Sequence, residues 1–322
     1  MNPTTLLEAV RYFSDIDVCR EYMVGLKWPD GKITCPKCGG DRVGRIASRG
    51  TFKCMAKECH KQFSAKVGTI FEDSPLDLCK WFVAVWCIAN AKNGISSCEL
   101  ARALGVTQKS AWFMLHRIRL AMQTGTVRKL GGVVESDETF VGGKADNMHR
   151  HVRERKIRGR GTSGKAIVHG VLERNSDKKA QDSQVRACVV PNTEAATLVP
   201  IIRRAVESDA VVCTDATSSY ASLGGSFVHK WVDHATRYVL GKVHVNGIEN
   251  FWSLLKRAVK GTYVAVSPFH LFRYVDEEAW RFNERRFNDG SRFDRAMQGV
   301  VGRRLTYRQL CAIDDCGFMG LT

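Results

Sequence analysis

Apolar residues recur at helical intervals in the first third of the chain and at strand intervals after it. Residues 1–30 predict one or two short amphipathic helices, since Leu6, Val10 and Phe13 fall on one helical face. Residues 75–92 predict a longer helix that is apolar on most sides. Between them lies a stretch at 34–64 that is too short and too polar to build an apolar core of its own.

Two further helices are predicted within residues 94–122, GISSCELARALGVTQKSAWFMLHRIRLAM. The first begins near Glu99, Gly105 permits a tight turn, and Thr107 can cap a second helix that runs to about Met122. This is the layout of a helix-turn-helix, whose second helix enters the major groove of DNA, although an ordinary helical hairpin has the same pattern. On the DNA-binding interpretation, the second helix would present Gln108, Lys109, Ser110, Arg117 and Arg119.

From about residue 130, predicted strands alternate with predicted helices. Strands are expected at GGVVESDETFVGG, AIVHGVLERN and VRACVVP, followed by a helix at 193–208. Two more strands, AVVCTD and SFVHKWVDH, precede a long helix, NGIENFWSLLKRAVKG. This order predicts an α/β domain with a mixed sheet flanked by helices.

The charge of the chain narrows the class of partner. The 322 residues carry a formal net charge of +16. Such an excess favours polyanions, of which nucleic acid is the commonest, although a solubilising surface is an alternative. A Gly-rich loop predicted at 144–165 holds eight Lys or Arg residues against two acidic ones, and its Arg155, Lys156 and Arg158 are candidate DNA contacts.

Membrane insertion and secretion are not expected. The longest apolar run, at 81–91, has eleven residues, whereas a bilayer requires roughly 20. The first residues carry acidic groups and lack the layout of a signal peptide. The sequence therefore predicts a cytoplasmic protein with no membrane partner.

Four of the twelve cysteines have the spacing of metal ligands. Cys35 and Cys38 form a C-x-x-C turn, and Cys54 and Cys59 form a looser C-x-x-x-x-C turn. Four thiolates in two such turns fit one tetrahedral structural Zn²⁺, which would supply the folding energy that this polar segment lacks. His60 could replace Cys59 as the fourth ligand, and a redox role for the C-x-x-C is the rival interpretation.

Three acidic residues predict a second, different metal site. Asp137 lies within a predicted strand, Asp215 ends another, and Glu249 shares a face of the long helix with Lys256. Strands disfavour Asp, so Asp137 indicates function; Glu135, on the same strand face, competes for the ligand role. Asp215 could instead cap a helix. Three carboxylates suit the two Mg²⁺ ions of a phosphodiester-cleaving site, beside a lysine that holds phosphate.

Six motifs in order carry a resemblance to a known family: CPKCGG, KNGISSCELARALGVTQKSAWFMLHRIR, ESDETFVGGK, TDATSSY, HVNGIENFWSLLKRAVKGTY and SPFHLFRYVDEEAWRFN. From about residue 20 to 290 the chain resembles insertion-sequence transposases of the ISXO-like group, with a longer second cysteine spacing, CMAKEC. The resemblance implies a zinc ribbon and a helix-turn-helix that recognise terminal inverted repeats, followed by an RNase H-like catalytic domain. The implied boundaries are 1–66 for the N-terminal helices and ribbon, 67–128 for the helix-turn-helix, 129–290 for the catalytic domain and 291–322 for a C-terminal tail.

Carried over residue by residue, the resemblance implies that Asp137, Asp215 and Glu249 hold two Mg²⁺ or Mn²⁺ ions, with Lys256 beside them. Some members have Asn as the third ligand, so Asn246 and Asn250 are alternatives to Glu249. The implied zinc ligands are Cys35, Cys38, Cys54 and Cys59, and Lys260 joins the candidate DNA contacts.

The implied function is a DNA transposase that cleaves element ends and transfers them to target DNA. Its partner would be double-stranded DNA, on which two ends must meet in a homo-oligomer at the nucleoid. Two alternatives remain open: an RNase H-like nuclease or resolvase, and a noncatalytic DNA-binding regulator derived from a transposase.

Overall fold

A computed structural model of the chain describes residues 3–123, 128–142, 164–174, 183–216, 218–232 and 243–311. The helices are α1 (Leu6–Tyr12), α2 (Ile16–Lys27), α3 (Leu78–Asn90), α4 (Ser97–Leu104), α5 (Gln108–Ala121), α6 (Ala195–Ala205), α7 (Asn246–Arg257), α8 (Leu271–Asn283), α9 (Asp289–Gln298) and α10 (Tyr307–Cys311). The strands are β1 (Val43–Ile46), β2 (Thr51–Cys54), β3 (Gln62–Phe63), β4 (Val133–Val141), β5 (Ala166–Glu173), β6 (Gln184–Val190), β7 (Val211–Asp215) and β8 (Val228–Val232). None of the described helices is both long enough and apolar enough to cross a bilayer.

The chain divides into two compact units, one built from Met1–Gln123 with Phe287–Thr322 and the other from Thr124–Arg286. The zinc-ligand cysteines and the predicted helix-turn-helix lie in the first unit. The acidic residues lie in the second.

In the first unit, the helix-turn-helix has the predicted turn at Gly105 and cap at Thr107, and its first helix begins at Ser97, two residues before the predicted start. Ser96 and Glu99 form a reciprocal capping box at the start of α4, and Gly105 ends the helix in the left-handed region at φ 60°. The Thr107 side chain then accepts a hydrogen bond from the Ser110 N–H and caps α5. Ala101 is buried where the two helices meet, because a small side chain permits their close approach.

The predicted C-terminal tail, 291–322, contains most of α9, and its residues 312–322 lie outside the described residues. Helix α9 packs into the core of the first unit, and Phe293 is 2% exposed. The Phe293 ring lies 4.9 Å from that of Phe13 and 5.7 Å from that of Trp86, centroid to centroid. Helical segments that are far apart in the chain thus supply apolar faces to one core.

The second unit contains the predicted mixed sheet, with strand order β6-β5-β4-β7-β8. Strand β4 is antiparallel to β5 and parallel to β7, and β7 is parallel to β8. One core cluster covers one side of the sheet with α6, and a second covers the other side with α7 and α8. The central position of β4 places its residues between both helical layers.

The predicted basic loop at 144–165 lies outside the described residues, apart from Gly164 and Lys165. Its candidate DNA contacts Arg155, Lys156 and Arg158 are therefore not described.

Candidate active site and zinc ribbon

Asp137 and Asp215 lie at matching positions on two adjacent parallel strands. In the register of β4 and β7, Glu135 pairs with Cys213, and each aspartate is two residues further along its strand. Because side chains alternate along strands, both aspartates project to the side of the sheet that Glu135 and Cys213 face. Neighbouring strands are about 4.8 Å apart, so the parallel pairing brings two carboxylates together.

Helix α7 crosses this side of the sheet and brings the third acid. Its buried residues are Ile248, Phe251, Trp252 and Leu255. Glu249, Ser253, Lys256 and Lys260 are exposed, as the predicted division of the helix into a packing face and a polar face requires. The Trp252 Nε1–H donates a hydrogen bond of 2.9 Å to Oδ2 of Asp137 and ties the helix to the strand.

The electrostatics of Asp137 show that the three acids are neighbours. Burial raises the pKa of Asp137 to about 6, and the Asp215 and Glu249 carboxylates act in the same direction. Hydrogen bonds from the Glu138 backbone N–H and from Trp252 oppose this shift. A nearby positive charge would therefore stabilise the ionised form of Asp137.

A fourth carboxylate, Glu138, projects from the opposite face of β4. Burial raises its pKa to about 7, with further contributions from Asp137 and Asp215, and against the hydrogen bond from the Tyr220 hydroxyl. The Tyr220 side chain is itself buried in the core cluster under α6. Glu138 is therefore held by the core on the far side of the strand from Asp137.

Glu135, the predicted competitor for the ligand role, is committed elsewhere. It is fully buried; its Oε1 accepts a hydrogen bond of 2.5 Å from Arg174 Nε, and its Oε2 accepts one of 2.8 Å from the Ile248 N–H. Both of its oxygens are thus engaged with protein donors.

Asp215 is the last residue of β7, and the next described helical segment begins at Ser218. The interpretation of Asp215 as a helix cap stays an alternative to its role as a ligand.

The four predicted zinc ligands come together in the first unit. The sulfur atoms of Cys35, Cys38, Cys54 and Cys59 all lie within 4.8 Å of one another. His60 stands outside this group, exposed and at φ 45°. The cluster sits on the three-stranded antiparallel sheet of β1, β2 and β3, which gives the segment a zinc-ribbon architecture.

Local backbone geometry prepares the first knuckle of the ribbon. Gly39, at φ 74°, donates its N–H to the Cys35 carbonyl, and the Cys35 N–H donates to the Gly40 carbonyl. Although burial raises the pKa of Cys35, hydrogen bonds from the Cys38 and Lys37 backbone outweigh it and lower the pKa to about 7. Thiolate is the form that binds zinc.

The candidate DNA contacts of α5 separate into two groups. Gln108 and Lys109 are exposed at the start of the helix and Ser110 is half-buried there. Arg117 and Arg119 are 4% and 1% exposed. The Arg117 guanidinium donates to the Glu72 carbonyl and lies 5.6 Å from the centre of the Trp81 ring, so neither arginine is presented at the surface and both leave the set of candidate DNA contacts.

Three residues at the acidic site were not predicted from the sequence. They are Trp252, which donates to Asp137; Gly170, which pairs with Asp137 on β5; and Arg174, which binds Glu135. Each acts through a partner that is distant in sequence, so no local period identifies it. A glycine inside an apolar strand is the one hint, because it marks a close approach by another part of the fold.

Comparisons with known proteins agree with this architecture. A family model of the ISXO2-like transposase domain matches residues 129–283, and a model of the transposase zinc-ribbon domain matches residues 15–62. An uncharacterized protein in transposable element ISH50 of Halobacterium salinarum is 30% identical over 245 residues, which cover 72% of this chain and 79% of the relative. An uncharacterized transposase-like protein of Haemophilus influenzae is 40% identical over 101 residues, which cover 31% of this chain and 81% of the relative. These two family matches, in order along the chain, and a relative that is 30% identical and covered over 79% of its length show that the chain belongs to the ISXO2-like transposase family.

Proposed function

We propose that this protein is a metal-dependent DNA transposase that cleaves element ends and joins the freed 3′ ends to target DNA. The observation that carries the proposal is the meeting of Asp137 and Asp215 on adjacent parallel strands, with Glu249 near enough to raise the pKa of Asp137. The three carboxylates would repel the phosphate of a DNA substrate. The site can therefore act on DNA only when bound cations offset their negative charge.

The donor set fits Mg²⁺ or Mn²⁺. The candidate ligands offer carboxylate oxygens, which these hard cations prefer, and the partial burial of Asp137 beside two like charges is offset by a cation. Asp137, Asp215 and Glu249 would hold two ions, and Glu249 is favoured over Asn246 and Asn250 because a charged carboxylate binds a divalent cation more strongly than a neutral amide. When bound, the ions activate the attacking oxygen and stabilise the leaving oxygen of an in-line displacement.

The chain's own residues orient the DNA. Lys256 is exposed on the same face of α7 as Glu249, seven residues further along, and Lys260 is exposed in the helical turn that follows α7, Ala258–Tyr263. Their ammonium groups can hold phosphates near the acids. Trp252 and the two strands keep the aspartates in place. Gln108 and Lys109 at the start of α5 are suited to contact the terminal repeats. The predicted basic loop, with Arg155, Lys156 and Arg158, would bind DNA phosphates without regard to base sequence.

Zn²⁺ has a separate, structural role in the ribbon, where Cys35, Cys38, Cys54 and Cys59 would hold it.

Because its substrate is DNA, the protein would be located at the nucleoid. Two or more copies would bring two element ends together. An RNase H-like nuclease would share the acidic site, and a noncatalytic regulator would share only the DNA contacts.

The test substitutes each acid by its amide. We expect Asp137→Asn, Asp215→Asn and Glu249→Gln each to lower Mg²⁺-dependent cleavage of labelled element ends by about 10³-fold, equivalent to about 4 kcal/mol of barrier, with end binding retained. Asp209→Asn, an exposed carboxylate of the same unit, is the matched control and should cleave normally.

The outcomes separate the candidate functions. Near-native cleavage by any of the three amide variants removes that residue from the site. Cleavage without joining of paired ends to a target favours the nuclease, and end binding without any cleavage by the native protein favours the regulator.

A further inference from the structure

Helix α7 begins without a cap of its own. Its N-cap residue, Val245, makes no side-chain hydrogen bond to the first turn. The first N–H groups of a helix have no partners within it, and they carry the positive end of the helix dipole. In α7 this end lies within a turn of Glu249.

A carboxylate from the sheet occupies the missing position. Glu135 Oε2 accepts a hydrogen bond of 2.8 Å from the Ile248 N–H, in the first turn of the helix. Gly247 permits this approach, since a Cβ at that position would lie 2.9 Å from the same oxygen and 3.1 Å from Leu172. The contact therefore requires a side chain on β4 and a glycine on α7 together.

The other oxygen of Glu135 binds the segment that leads into the helix. Arg174 Nε donates to Glu135 Oε1 at 2.5 Å, and its Nη2 donates to the His244 carbonyl and contacts His244 Nδ1 at 2.9 Å. The Arg174 backbone N–H in turn donates to the Val133 carbonyl at 2.8 Å. One buried carboxylate and one guanidinium thus connect the chain before α7, the start of α7 and strand β4.

The same two elements carry the acidic site. On β4, Glu135 is two residues from Asp137; on α7, the capped Ile248 directly precedes Glu249. The Trp252 bond to Asp137 forms a second tie one turn further along the helix. Any shift of the first turn of α7 against β4 therefore changes the separation of Glu249 from Asp137.

We propose that Glu135 is a positioning residue: it caps α7 from the sheet, with Arg174 as its brace, and so sets the distance at which Glu249 and Asp137 share a divalent cation. This assignment rests on the proposed function for its consequence, although the cap itself does not. On this proposal, the carboxylate of Glu135 serves to hold α7 and does not bind the metal.

The experiment compares Glu135→Gln, Glu135→Ala and Arg174→Lys with native protein and with the control Asp209→Asn. Hydrogen exchange read by mass spectrometry reports the first turn of α7, and titration with Mn²⁺ followed by the electron paramagnetic resonance of the free ion reports the site without any reaction. We expect exchange of residues 246–250 to rise about tenfold or more in Glu135→Ala, with β4 and β5 unchanged. The Mn²⁺ dissociation constant should rise about tenfold, as for other residues that support metal ligands. Glu135→Gln should lie between Glu135→Ala and native protein.

Two results would overturn the proposal. One is unchanged exchange in α7, which means that Glu135 does not hold the helix; the other is faster exchange with native Mn²⁺ affinity, which means that the cap is only structural. Should Glu135→Ala fail to fold, Glu135→Gln and Arg174→Lys are read by the same criteria. If the native protein binds Mn²⁺ but cleaves no element ends, the proposed function fails while exchange and Mn²⁺ affinity still decide the role of Glu135.

Discussion

Gly170 illustrates how one residue shapes the acidic site. It pairs with Asp137 on the neighbouring strand, and a Cβ there would lie 2.6 Å from Cη2 of Trp252. The absence of a side chain lets the Trp252 indole approach β5 closely while it donates its hydrogen bond to the Asp137 carboxylate. Glycine weakens a strand in general, so its place here follows from the close approach of α7.

We expect Gly170→Ala to lower the free energy of unfolding by about 1–3 kcal/mol, the usual effect of overpacking a filled core. The displaced indole should also lose its bond to Asp137. Trp252→Phe removes the clashing part of the ring, so the double variant Gly170→Ala/Trp252→Phe should be less destabilised than the sum of the two single changes. Urea unfolding of all four proteins gives the coupling, and additive effects would contradict the predicted contact.

Helix α5 shows the same dependence on context for a whole element. Its length and its cap at Thr107 follow from local signals, but its basic residues lie in two different environments. Lys109 near the N-terminus is exposed and lies 4.8 Å from the centre of the Tyr307 ring, whereas Arg117 is buried against Trp81 and Phe113. Burial lowers the pKa of Arg117 to about 10, which marks it as a core residue of the first unit.

Substitution of Lys109 should affect DNA binding, whereas substitution of Arg117 should affect the stability of the fold. Lys109→Ala is expected to weaken binding of element ends and to reduce the salt dependence of binding by about one phosphate contact, with stability nearly unchanged. Arg117→Met is expected to cost about 1–3 kcal/mol of stability, because the Glu72 carbonyl loses its donor. Fluorescence anisotropy across a salt series measures the first effect and urea unfolding the second; equal loss of stability in both variants would contradict the assignment.

At the scale of the whole molecule, the two compact units depend on different supports. The first combines a small ribbon, helices and α9, and its ribbon has the four-cysteine cluster beside a small aromatic group of Trp28, Phe52 and Phe63. Bound zinc would supply much of the folding energy of so small a segment. The second has two apolar clusters on a five-stranded sheet. Loss of zinc should therefore disturb one unit and leave the other folded.

Cys38→Ser tests this separation, with Cys98→Ser, an exposed cysteine outside the cluster, as its control. We expect Cys38→Ser to lose bound zinc, measured by a colorimetric chelator, and to speed exchange in β1 and β2. Protection of β4, β5 and β7 should stay at the native level. Identical zinc content in the two variants, or equal loss of protection in both units, would contradict the prediction.

Much of this architecture is legible in local sequence. The order of strands and helices in the second unit follows from apolar periods and breakers, and the helix-turn-helix follows from Gly105 and Thr107. The spacing of four cysteines predicted their cluster. For the acidic site, Asp137, Asp215 and Glu249 were predicted from the sequence to form one site. Their role as metal ligands stays a prediction.

The sequence by itself determined the helices α4 and α5, the strands β4 to β8 and the two pairs of clustered cysteines, because those features depend on residues within a few positions of one another. Only the tertiary structure decided that Arg117 is buried, that α9 joins the first core and that Glu135 caps α7. The contacts responsible join residues that are far apart in sequence, such as Arg117 with Glu72, Phe293 with Phe13 and Glu135 with Ile248. Pairings of that range are set by how sheet and helices pack, and a local pattern of polar and apolar positions contains no record of the partner.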